Sequence, residues 1–264
     1  MGEGLGEGTL CVLPDIDWVD IPEAPFLYGE DKTQITLPAF KIARHPITNS
    51  QYQCFIDDGG YEDERWWQGL ALTPFTEGES RLLPERGRWN DPNLPRETVS
   101  WYEAMAFTRW LTVKLQTHGL VPEGMTVRLP TEQEWEKAAR GSDAREFPWG
   151  EEYLSGKANI NETYGTAGTY YCRQTTAVGI YPQGLSPYGV RDMAGNVWEW
   201  CLNEYKQPER KGTEGKAERV VRGGSWSHGQ VHARCAVRLR DLPDDRGYAN
   251  GGFRVVVVYS APVV

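Results

Sequence analysis

Arg219-Val220-Val221-Arg222-Gly223-Gly224-Ser225-Trp226 opens the stretch that decides the fold, and Gly252-Phe253-Arg254-Val255-Val256-Val257-Val258 closes it. Both ends are β-branched and aromatic runs bounded by glycine pairs, the composition of strands that stop abruptly. Between them, Ser227 to Asn250 carries His, Arg, Asp, Tyr and Asn with no helical or strand period, which predicts irregular backbone held between two rigid anchors. Exposed residues on such a support are where binding or catalysis concentrates, so the function question is posed in this segment.

Just upstream stands Asp192-Met193-Ala194-Gly195-Asn196-Val197-Trp198-Glu199-Trp200. Strand alternation puts Trp198 and Trp200 on one side and Glu199 on the other. Two carboxylates, Asp192 and Glu199, with glycine-bend carbonyls between them offer an all-oxygen cage that suits Ca2+ better than Zn2+. A surface turn capped by Asp192 is the competing reading.

Further toward the N-terminus, three segments carry helix-start signals. Thr48-Asn49-Ser50-Gln51, Ser100-Trp101-Tyr102-Glu103 and Thr131-Glu132-Gln133-Glu134 are each capping boxes. The first helix ends at Gly59-Gly60, the second carries an apolar stripe to about Leu115, and the third stops at Gly141. Trp18–Pro22, Phe26–Gly29, Gln34–Leu37 and Phe40–Ile42 read as short antiparallel strands, and Ala177–Tyr181 as another. Tyr61 to Pro95 reads as a long loop packed by Trp66, Trp67 and Trp89.

At 264 residues with no Pro/Ser-rich or charge-run linker dividing it, the chain is expected to form one domain over 16–264 after a Gly/Glu-rich leader at 1–15. A net charge of −9 excludes a general nucleic-acid or anionic-membrane surface. No apolar run is long enough to span a bilayer, and Met1 to Thr9 lacks the basic-then-apolar order of a signal peptide, so a cytoplasmic protein is expected. The five cysteines, Cys11, Cys54, Cys172, Cys201 and Cys235, are scattered with no C-x-x-C pair, which predicts reduced, buried thiols. His228 and His232, four apart, could chelate a metal on a helix, but Gly229 and the missing helical pattern favour two solvated loop histidines.

Arg128-Leu129-Pro130-Thr131-Glu132-Gln133-Glu134-Trp135, Gly195-Asn196-Val197-Trp198-Glu199-Trp200, Arg222-Gly223-Gly224-Ser225-Trp226 and Gly252-Phe253-Arg254 together resemble the formylglycine-generating enzyme (sulfatase-modifying factor) family, in order from about Trp18 to Val258. The resemblance implies an α+β, C-type-lectin-like fold, loop-rich with small antiparallel sheets, and structural Ca2+. It places one calcium site on Asp192, Gly195, Val197 and Glu199. A second would begin at Asn159 and Ile160, where no matching Asp follows near Tyr170 to Cys172.

The family's oxidase holds Cu(I) on two cysteines in the loop after the Gly-Gly-Ser-aromatic turn, because soft thiolates select that ion. Here that loop reads Ser227-His228-Gly229-Gln230-Val231-His232-Ala233, without a thiol, and Cys235 cannot make a pair alone. No copper is expected. The terminal stretch also resembles the variable proteins of diversity-generating retroelements, which keep the Gly-Gly-Ser-Trp and Gly-Phe-Arg framework and vary between by mutation at adenines. Between Ser227 and Asn250 there is no Lys, Glu, Met or Trp, residues that such mutation of Asn codons cannot reach, and Gln230 is the exception.

The expectation is a non-catalytic protein that binds a protein ligand through a variable region at 220–258. Its contact residues are Ser227, His228, Val231, His232, Leu239, Asp241, Leu242, Asp245, Tyr248 and Asn250. A superfamily oxidase and an interaction domain of a larger signalling protein are the alternatives.

Overall fold

Three reciprocal caps fix where the helices begin. In a computed structural model describing residues 13–75, 82–165, 167–247 and 249–259, α1 (Asn49–Asp57), α2 (Trp101–Thr117) and α3 (Glu132–Arg140) each start at a capping box on Thr48, Ser100 and Thr131. Each satisfies helix-start N–H groups that would otherwise be unpaired, and α3 ends on Gly141 at φ 71°.

The strands form three small sheets. β1 (Trp18–Ile21), β4 (Phe40–Ala43), β10 (Val256–Tyr259) and β5 (Met125–Arg128) lie side by side, all antiparallel. The last strand therefore ties the two ends of the chain together, with Val256 opposite both Ile42 and Arg128. β2 (Ala24–Tyr28) and β3 (Thr33–Leu37) form a separate antiparallel pair. The third sheet has the order β8-β7-β6-β9, built from Arg238–Asp241, Arg219–Arg222, Trp198–Glu204 and Gly251–Gly252, with only the β6–β9 pair parallel.

The larger core packs α1 and α2 against the third sheet through aromatic rings. Tyr52 stacks on Phe107 at 5.4 Å, and Phe253 meets Phe107 edge-on, also at 5.4 Å. Burying each such side chain stabilises by about 1.5–3 kcal/mol, so the Gly252-Phe253 step anchors the end of the variable segment in the core. A second core, Trp135, Ala138, Met193, Val220 and Cys235, fixes α3 beneath the Gly223-Gly224 turn.

Four expectations are corrected. Ala177–Tyr181 is a turn rather than a strand: Gly179 adopts φ 76° and donates its N–H to Asp192 Oδ2 at 2.6 Å. The middle of the terminal stretch is less irregular than its composition suggests. It contains a 3-10 turn at Gln230–Ala233 and strand β8, which pairs with β7 from Arg219↔Asp241 to Arg222↔Arg238. Within the leader expected over 1–15, residues 1–12 lie outside the described residues, but Pro14 is buried and the Asp15 carbonyl accepts from Gln51 Nε2. Of the cysteines, Cys201 and Cys235 are buried, whereas Cys54 is half-buried and Cys172 exposed; Cys11 lies outside the described residues. Among the described residues, no helix is long and apolar enough to cross a membrane.

Candidate functional site

The site begins at the turn after β7. Gly223 (φ 94°) and Gly224 (φ 75°) lie in the left-handed region, and a Cβ on Gly224 would stand 2.9 Å from the His232 carbonyl oxygen. Only glycine allows this close approach, which folds the loop back over Ser225. Ser225 is fully buried, with its Oγ 2.8 Å from His228 Nδ1. Ser227 Oγ lies 3.2 Å from the same nitrogen, and Trp198 Nε1 donates to it at 3.3 Å. Accepting the indole N–H makes Nδ1 the unprotonated nitrogen, which places the proton of the neutral ring on Nε2.

His228 and His232 are half-buried rather than fully solvated. The 3-10 turn brings their rings to 5.0 Å, and both meet Trp198 edge-on, at 5.5 and 6.1 Å. Burial and then the neighbouring His232 lower the His228 pKa, which keeps the ring neutral near pH 7. His232 Nδ1 is buried without a hydrogen-bond partner. Among the described residues no cluster of three His, Cys, Asp or Glu could hold a metal.

A cavity of about 200 Å³ opens between Trp198, Trp200, His228, Leu239, Asp241 and Asn250. Asn250 ties its edge down, donating to Ser227 Oγ at 3.2 Å while its carbonyl accepts the Trp198 N–H at 2.7 Å. Burial raises the Asp241 pKa, and its Oδ1 accepts the Leu242 N–H. Ser227 and His232 adjoin the cavity through His228. Val231, Leu242 and Asp245 are not in its wall. Val231, Leu239 and Leu242 are 58%, 37% and 51% exposed, so the two leucines do not pack beneath the loop. Asp245 accepts from the Gly247 N–H, and Tyr248 lies outside the described residues.

Cys235 faces away from this cavity. It is fully buried in the second core, and its amide donates to the Glu146 carbonyl at 2.7 Å. Burial pushes its thiol pKa well up, which leaves a small apolar side chain rather than a thiolate.

One of the oxygen groups expected to hold Ca2+, the Glu199 carboxylate, is paired with a different cation. Glu199 Oε2 accepts from Arg254 Nε at 2.6 Å and from Trp135 Nε1 at 2.7 Å, and its Oε1 accepts from Arg254 Nη2 at 2.7 Å. The same guanidinium donates to the carbonyls of Ala43, Arg44, Arg191 and Asp192. Asp192 receives the Gly179 N–H, and burial raises its pKa to about 6. As arranged, Asp192, Gly195, Val197 and Glu199 do not fit Ca2+, because the carboxylate with the strongest claim on a cation is already neutralised by Arg254. At the second expected site, Asn159 Oδ1 is buried without a partner, while Ile160 is core. Nearby, Glu162 is saturated by Tyr153, Ser155 and the Gly156 amide. One orphaned amide oxygen is not the six to eight oxygens that Ca2+ takes.

The sequence reading missed an aromatic ladder beside the face. Trp226 donates its indole N–H to the Ala249 carbonyl, meets Trp89 at 5.3 Å and stacks on Tyr171 at 6.3 Å. Arg88 and Arg173 cover the outer rings at 5.2 and 5.5 Å. The only signal was an arginine within two residues of an aromatic in both loops.

Fold and site together define an α+β protein of the C-type-lectin-like type, with an irregular surface segment seated on a Gly-Gly-Ser-Trp turn. The family model described as the sulfatase-modifying factor enzyme 1-like domain matches residues 13–258, and the chain belongs to that family. It is 34% identical over 239 residues to the hercynine oxygenase of Mycobacterium tuberculosis, covering 79% of this chain and 50% of that protein. It is 32% identical over 224 residues to the serine/threonine-protein kinase pkn1 of Chlamydia pneumoniae, covering 80% of this chain and 32% of the kinase. The chain thus spans half or less of the length of these two relatives. Among solved structures, Treponema denticola variable protein 1 superposes with a TM-score of 0.63 at 22% identity, covering 90% of this chain and 94% of that one, a likeness of fold.

Proposed function

We propose that the chain is a non-catalytic ligand-binding protein that displays a diversifiable surface, the variable protein of a diversity-generating retroelement, and that its ligand is a protein. The observation that carries this reading is a contrast in burial. Ser227, His228, Val231, His232, Leu239, Asp241, Leu242, Asp245 and Asn250 are all at least partly exposed, whereas Arg222, Ser225, Phe253 and Arg254, which hold the segment's ends, are fully buried. Substitutions at the exposed Val231, Leu239 and Leu242 usually change stability by no more than about 0.5 kcal/mol, so this part of the face can vary while the frame stays folded. The buried Cys235 supports the same reading, since a Cu(I) centre needs paired, accessible thiolates.

The experiment is a Cu(I) titration of the purified protein with a cysteine-peptide oxidation assay and a Cys235→Ser control. The expected result is no stoichiometric Cu(I) site and no aldehyde. A copper site with turnover that is lost in C235S would reject the proposal in favour of an oxidase. A second reading, an enzyme of the same superfamily, is favoured by the likeness to hercynine oxygenase and by the His228–His232 pair against Trp198. Coverage of only 32% of a kinase favours a third, an interaction domain of a larger signalling protein.

A further inference from the structure

The cavity beside the terminal segment has a fixed floor and a changeable rim. Trp200, Val221 and Leu239 stand in register across β6, β7 and β8, so they share one face of the third sheet. Asp241, two residues past Leu239, and Trp198, two before Trp200, lie on that same face and in the cavity wall. Trp198, Trp200 and Val221 are buried members of the larger core, whereas Leu239 and Asp241 fall within the segment between Ser227 and Asn250.

Asp241 is half-buried, and no Lys, Arg or His of the described residues pairs with it. The cations that flank it are committed elsewhere. Arg219, opposite Asp241 in the strand register, donates to the carbonyls of Leu202 and Gly212. Arg240 pairs with Glu218 at 3.3 Å and lies over the Tyr205 ring, and Arg246 pairs with Glu85 and Glu103. His228, across the cavity, is held neutral by burial and by His232. Burial first, and then the charges of Asp245 and Asp244, raise the Asp241 pKa, which is the state of a carboxylate short of a cation.

Size and shape narrow the chemistry. A volume of about 200 Å³ is below the roughly 300–1,000 Å³ of sites that enclose a whole small molecule, and it suits one inserted side chain. An apolar wall that leads to a carboxylate matches an aliphatic stem with a cationic tip. Asp241 Oδ1 already accepts the Leu242 N–H at 2.8 Å, so the two-pronged pairing that favours arginine is not open, and a point cation fits better.

We propose that the protein ligand of this face inserts a lysine side chain into the cavity, its stem against Trp198, Trp200, Val221 and Leu239 and its ammonium at the Asp241 carboxylate. This inference rests on the reading of the 227–250 face as a protein-binding surface. It makes Asp241 the specificity-determining residue of the cavity, on a floor that the frame supplies.

The probe is the amide of Nα-acetyl-lysine, titrated into the purified protein while the Trp198 and Trp200 indole N–H resonances are followed by NMR. The corresponding norleucine and arginine amides serve as comparisons, the first keeping the stem without the ammonium. The lysine amide is expected to shift both resonances saturably, the norleucine amide to bind about tenfold or more weakly, and the arginine amide more weakly than lysine. Asp241→Asn keeps an acceptor for the Leu242 N–H and is expected to weaken lysine-amide binding about tenfold or more. Asp244→Asn, exposed and outside the wall, is expected to bind it like the wild type. The inference is overturned if the lysine amide gives no saturable shift, if norleucine or arginine amide binds as well, or if D241N binds like the wild type. Those results leave the reading of the face standing, whereas a copper site with turnover rejects that reading whatever the lysine amide does.

Discussion

Replacing Arg254 with Met perturbs the buried ion pair that closes the terminal segment onto the rest of the fold. Arg254 is 0% and Glu199 1% exposed, with two hydrogen bonds at 2.6 and 2.7 Å joining them. The substitution leaves Glu199 charged, buried and held by the Trp135 N–H alone, and it removes a donor from the carbonyls of Ala43, Arg44, Arg191 and Asp192. Breaking such a pair from one side costs about 3–5 kcal/mol. For a chain of this size, at about 2–4 °C per kcal/mol, the melting temperature should fall by about 6–20 °C. Urea denaturation followed by circular dichroism measures the loss, and E199Q/R254M should recover a large part of it by removing the uncompensated charge. The single variant also takes the cation away from the Glu199 carboxylate and from four carbonyl oxygens, so Ca2+ should stabilise R254M and leave the wild type unchanged. A loss below about 1 kcal/mol, or a double variant no more stable than the single, would refute the reasoning.

Other consequences are as direct. Burial, with the charges of Arg254 and Arg191, holds the His45 pKa down at about 4 against 6.5 when unfolded. The unfolded chain therefore takes up the proton first, so this contribution is fully present above pH 6.5 and is lost as the pH falls toward 4; His45→Asn should flatten that part of a urea-stability profile. Gly224→Ala, forced to φ 75° and 2.9 Å from the His232 carbonyl oxygen, should cost about 1–3 kcal/mol in the same assay. Leu242→Asn and Val231→Asn, both on the exposed face, should change stability by less than about 0.5 kcal/mol.

The helices were legible because a capping box is local: Thr48, Ser100 and Thr131 each meet their partner three residues on. The rigid ends of the terminal segment were legible for the same kind of reason, since β-branched runs and glycine pairs announce themselves. The cation at Glu199 was not legible. Its partner stands 55 residues away, and alternation around Glu199 reveals a buried carboxylate without saying what neutralises it. The same holds for Arg222 and Glu136, 86 residues apart. The histidine pair was misread because the 3-10 turn at Gln230–Ala233 has no side-chain cap to mark it. Ala177–Tyr181 was misread because its alternation is that of a strand, while Gly179 turns the chain to reach Asp192.

The most direct test of a diversifiable face is to sequence the DNA flanking this coding region. The account predicts a nearby reverse transcriptase and a near-copy of the codons for Arg222 to Arg254, differing at adenines and chiefly at the exposed positions from Ser227 to Asn250. Flanking DNA with neither, or a copy whose differences fall on the codons of buried Arg222, Ser225, Phe253 and Arg254, would contradict it.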